Sequence, residues 1–84
     1  MKHAGDAALD ELEPLLGEIR KFEGLKERKR GVFCRKSAAF IHFHEDPTGS
    51  FADFRVGLDW KRLRVSNRAE QRKLLDEVKR VLGL

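Results

Sequence analysis

Residues 40–56 read FIHFHEDPTGSFADFRV, two alternating stretches joined by Asp46-Pro47-Thr48-Gly49. Side chains on a strand alternate between faces, so the first stretch places Ala39, Ile41 and Phe43 on one side and Phe40, His42 and His44 on the other. The second divides into Ala52, Phe54 and Val56 against Phe51, Asp53 and Arg55. A hairpin with Asp46 opposite Gly49 keeps these sets matched: His44 faces Phe51, His42 faces Asp53 and Phe40 faces Arg55. A slip of one residue would put the histidines beside Ala52 and Phe54 and bury Asp53 against Ile41, a carboxylate without a partner. One register, with one apolar and one polar face, is therefore expected.

The texture around this hairpin predicts strands near 31–36, 38–45, 51–57 and 61–65, broken at Lys36-Ser37, at the 46–49 turn and at Gly57-Leu58-Asp59. Leu63 and Val65 would point inward, Arg62 and Arg64 outward. Arg35 also points out, which sends Cys34 in. The open face then collects Phe33, Arg35, Phe40, His42, His44, Phe51, Asp53, Arg55, Arg62 and Arg64.

Helical signals flank the strands. Asp10 stands three residues before Glu13, the capping-box spacing, with Pro14 in the first turn and a stripe of Leu12, Leu15, Leu16, Ile19 and Phe22 ending at Gly24. A helix over 11–22 is predicted. Asn67 and Glu70 repeat the box ahead of Leu74, Leu75, Val78, Val81 and Leu82, predicting a second helix that runs to the C-terminus. Residues 1–9 lack a sustained period and read as a loose arm, in part helical, before a single domain over 10–84. Trp60 reads as a lid over the end of the core, and His3 carries no signal. The expected fold class is α+β: a small single-layer antiparallel meander of three to four strands, with the N- and C-terminal helices packed on one face.

At 84 residues the chain is long enough for one small core only. Its single cysteine excludes an internal disulfide and fits a reducing compartment. The N-terminal residues lack the apolar run of a signal peptide, and nowhere do 18 consecutive apolar residues occur. A soluble cytoplasmic protein is expected, with no membrane partner. Lys and Arg outnumber Asp and Glu by 18 to 14, a formal charge of +4 that favours anionic partners.

Four functions fit the open face. Arginines interleaved with aromatics suit an anionic partner, a phosphorylated ligand or single-stranded nucleic acid, with phosphates on the guanidinium groups and bases on the rings. Arg35, Arg55, Arg62 and Arg64 would supply charge and Phe33, Phe40 and Phe51 contact, with His42 and His44 as hydrogen-bond donors. The loop LKERKRG, residues 25–31, adds Lys26, Arg28, Lys29 and Arg30 at one edge, although such runs are usually solvated linkers. The same face would suit a homodimer or another protein. A metal could take His42, His44 and Asp53 as three ligands, whereas a structural zinc site wants four and Cys34 points away. Acid–base chemistry could use His42 oriented by Asp53, yet no nucleophile falls nearby and the sheet gives little cover from water. No cofactor signature is read, and an enzyme is the less favoured class.

The stretch GVFCRKSAAFIHFHEDPTGSFADFRV, residues 31–56, resembles a group of short bacterial proteins in which a strand ending in His-x-His precedes a turn and an Ala-Asp strand. The likeness spans roughly residues 12–82. A fainter one links the chain to the small luciferase-associated domain, which also has a His-x-His strand after a Gly-Phe strand; its later histidine and tryptophan segment has no counterpart here. These resemblances imply the helix, meander, helix order and bring no activity.

Overall fold

In a computed structural model describing residues 1–84, the 40–56 stretch forms a hairpin in the expected register. Its strands are part of a larger set: β1 (Lys2–His3), α1 (Asp6–Glu11), α2 (Glu13–Ile19), β2 (Lys26–Lys29), β3 (Val32–Arg35), β4 (Ala38–Asp46), β5 (Gly49–Val56), β6 (Asp59–Arg64) and α3 (Arg68–Leu82). Asp46 pairs with Gly49, His44 with Phe51, His42 with Asp53 and Ile41 with Phe54. The class is α+β with an antiparallel sheet, but the sheet has six strands rather than three or four. Their order is β2-β3-β4-β5-β6, with the short β1 paired to the far end of β4 beyond the reach of β3.

One side of β4 and β5 meets the helices. Ile41, Phe43, Ala52 and Phe54 form a single buried cluster with Leu9 and Leu12, Leu15, Leu16 and Ile19 of the α2 region, and Leu74 and Val78 of α3. Each such side chain removed from water contributes about 1.5–3 kcal/mol, which is how so short a chain holds a fold without staples. The opposite side of the hairpin carries no helix. That asymmetry leaves His42, His44 and Phe51 facing away from the core.

The N-terminal third departs from the sequence expectation. Instead of one helix over 11–22, α1 begins at Asp6 and ends at Glu11, and α2 follows after a break at Leu12. Pro14 explains the break, since it has no N–H to donate to the Asp10 carbonyl and its ring would crowd that oxygen. Asp10 accordingly caps nothing; it lies at the end of α1 and accepts from Arg30 Nη1 at 2.7 Å, while Arg30 Nη2 reaches Glu13 at 2.9 Å. The 1–9 stretch, read as a loose arm in part helical, thus carries the strand β1 and the first residues of α1.

The stretch read as a basic loop is also ordered. Lys26–Lys29 is a strand, and Glu27 in its middle takes Arg20 Nε at 2.5 Å and the Gly31 amide at 2.9 Å. A strand of charged residues has no alternating apolar signal, so only pairing with β3 reveals it. On β3 the parity shifts: Phe33 pairs with Ile41 but Cys34 with Ala39, a bulge that turns both inward. Phe33 is therefore a core residue, 1% exposed, and not part of the open face.

The C-terminal helix follows the expectation. Glu70 N–H donates to Asn67 Oδ1 at 2.8 Å, and the Glu70 carboxylate accepts from Ser66 N–H, one residue ahead of the cap. The β3–β4 turn is less comfortable. Lys36 and Ser37 both adopt left-handed backbone, with φ of 51° and 70°, the pair of conformations that Asn-Gly satisfies best in a two-residue hairpin. Replacing them together, Lys36→Asn with Ser37→Gly, is predicted to stabilise the fold by about 1 kcal/mol. Urea unfolding measures this, and an unchanged or lower midpoint would mean the turn stores no strain.

Candidate functional site

Register lays the polar face out in three rows. The first runs His3, His44, Phe51, Arg64 across β1, β4, β5 and β6; the second runs His42, Asp53, Arg62; the third sets Arg55 opposite Trp60. The order is a consequence of period two alone once Asp46 and Gly49 are paired. His3 enters this face because β1 extends the sheet where β3 has ended. Its arm is held by Ala4 N–H donating to Phe43 O at 3.0 Å and Gly5 N–H donating to Glu45 Oε2 at 2.7 Å.

Asp53 is the one buried charged residue, and it is fully engaged. Arg62 grips it in a fork, Nε to Oδ1 at 2.7 Å and Nη2 to Oδ2 at 2.9 Å. That grip holds the Asp53 carboxyl below its usual range against the opposing effect of burial, with the histidines adding a smaller pull. His44 Nε2 lies 3.2 Å from Asp53 Oδ2 and 2.9 Å from His42 Nδ1. His44 Nδ1 is buried and meets no hydrogen-bond partner.

The imidazoles are packed on one another. His3 stacks on His44 with ring centres 4.8 Å apart and meets His42 at 5.9 Å, while His42 stands edge-on to His44 at 4.8 Å. On its other side His42 meets Trp60, also at 4.8 Å. Burial lowers the His42 pKa below the ordinary 6.5; the neighbouring His44, His3 and Arg62 act in the same direction, and only Asp53 opposes them. At neutral pH this ring is uncharged and keeps a lone pair.

Several expectations change in detail. The carboxylate–imidazole contact is made by His44, whereas His42, directly across from Asp53 in register, turns to His44 instead. Phe40 sits at the bulge, 4% exposed beneath the Arg35 guanidinium, and so presents no contact surface. Phe51 is half-buried with Arg64 6.0 Å above its ring. Arg55 lies 4.2 Å from the centre of the Trp60 ring and donates to Leu58 O at 3.1 Å. Cys34 is buried and takes no part.

Trp60 and His3 are the residues that sequence reasoning misses. Trp60 shares parity with Arg62 and Arg64, so starting the last strand two residues earlier would have placed it on the face; it is an outer-face residue, 40% exposed, and no lid. Nothing in the sequence near His3 announces a two-residue strand, because so short a pairing has no period to read.

The burial of His42 carries a testable consequence. In metal-free protein its ring resonances should titrate with a midpoint below 6.5, and Trp60→Ala, which opens one side of the ring to water, should raise that midpoint. Because the unfolded chain binds this proton more readily, stability should fall as pH drops through 6.5 and level off only below the folded midpoint. An NMR pH titration with parallel unfolding curves reads both; a midpoint at or above 6.5 would contradict burial as the governing influence. Compared with known proteins, the chain matches no protein-family model, no curated protein and no solved structure.

Proposed function

We propose that this chain is a small cytoplasmic binding domain whose helix-free sheet face grips an anionic partner, single-stranded nucleic acid being the form its chemistry fits best. The observation that carries the reading is the Arg55–Trp60 pair, a guanidinium stacked 4.2 Å from an exposed indole at the rim of that face. Such a pair offers a phosphate its positive charge and a base a flat partner in one place. Arg64 beside Phe51 continues the pattern along the sheet, and the net charge of +4 draws polyanions toward it.

The contact surface is narrower than the sequence suggests. Arg62 is committed to Asp53, and Arg20 and Arg30 are committed to carboxylates of α1, α2 and β2, so Arg55 and Arg64, the latter held only by a long 3.7 Å contact to Glu70, are the cations that serve the partner. Arg35 lies beyond Phe40 at the far side of the face. No helix is long and apolar enough to cross a membrane.

Trp60 is the only tryptophan, so its fluorescence reports directly on this surface. Titration with a short mixed-sequence single strand should quench it, with affinity falling as salt rises. Replacing Arg55 or Arg64 with Gln should weaken binding and flatten the dependence of log K on log salt by about 0.7 for each phosphate no longer neutralised. Absence of quenching at low salt, or variants with unaltered salt dependence, would sink the nucleic-acid reading.

A further inference from the structure

We propose that His3, His42 and His44 together bind one divalent transition-metal ion of the zinc class. A ring nitrogen from each of the three lies within 4.8 Å of the others. Zinc holds imidazole nitrogens at about 2.0–2.1 Å, which sets two of them about 3.4 Å apart in a tetrahedral site. The rings of His42 and His44 already bring two nitrogens to 2.9 Å, so small rotations suffice for them, and the exposed His3 ring is the one that adjusts most. Three neutral imidazoles suit zinc, nickel or copper, whereas magnesium and calcium demand oxygen donors that this cluster lacks.

The site is built rather than merely crowded. Two backbone N–H groups just past β1, donating to Phe43 O and to the Glu45 carboxylate, fix the arm beside β4, so His3 is delivered to the face in register with His44. His44 Nε2 faces His42 Nδ1 at 2.9 Å, with Asp53 Oδ2 3.2 Å away and itself clamped by Arg62. An ion that replaces the proton shared between these two facing nitrogens meets two imidazole lone pairs at once.

Asp53 already has both oxygens held by Arg62, which replaces the ligand set His42, His44 and Asp53 with three histidines. Its charge also cancels that of Arg62, so the arginine beside the cluster does not repel the ion. Three protein ligands leave a position for water or for an anion. The inference stands apart from nucleic-acid binding, because the ion would be held by imidazole nitrogens and not by Arg55 or Arg64, Trp60 lying between Arg55 and His42.

The test uses the full chain stripped of metal and titrated with Zn²⁺ by calorimetry at slightly alkaline pH, with ¹⁵N shifts of the imidazoles followed in parallel. One equivalent should bind and move all three rings. His3→Ala and His42→Ala should each weaken binding by at least about tenfold. Arg64→Gln should leave zinc affinity unchanged. His3→Ala is the deciding variant, since its side chain is exposed and its removal spares the core; a circular-dichroism melt confirms the fold. No uptake by the wild type, or binding that His3→Ala leaves intact, would overturn the proposal.

Discussion

The arrangement of this molecule depends on the pairing of Asp46 with Gly49. That one pairing sets the parity of β4 against β5, and parity decides which side of the whole hairpin, from Ile41 opposite Phe54 to the turn, meets the helices. With it, Ile41, Phe43, Ala52 and Phe54 bury against the leucines of α1, α2 and α3. The same pairing puts Asp53 between His42 and Arg62, where its charge is matched. In the alternative register that carboxylate would lie in the core without a partner, a cost large enough to exclude it.

Charge around the sheet is more ordered than a count of basic residues implies. Arg20 and Arg30 tie α1 and α2 to β2 through Asp10, Glu13 and Glu27, and Arg62 is held by Asp53. The contribution of such pairs to stability is modest where water reaches them, but they remove cations from the pool that could attract a ligand. Along β4, β5 and β6 the polar face then holds Arg55 on Trp60, Arg64 near Phe51 and three packed histidines at the centre. A polyanion and a metal ion would use neighbouring but separate parts of this surface, the first its rim and the second the junction of β1 with β4.

The cluster of imidazoles has a physical oddity. Three rings lie against one another with a bidentate arginine–carboxylate pair alongside, and one buried nitrogen has nothing to bond. Charging all three rings would crowd three positive charges together, and burial already holds His42 toward its neutral form with a free lone pair. Neutral, convergent lone pairs are the state from which metals are bound.

Sequence alone determined the β4–β5 register and the capped α3, because each is written in a local rule: period two, and an Asn with a Glu three residues on. It also drew attention to His42, His44 and Asp53. The bulge opposite Phe33, the strand nature of the charged 26–29 stretch, the break that Pro14 imposes at Leu12 and the placement of Trp60 were decided by neighbours that local periodicity does not see. His3 is the clearest case. Two residues have no period, so only the sheet edge vacated by β3 could decide that this side chain lies against His44, far along the chain, and completes a group of three.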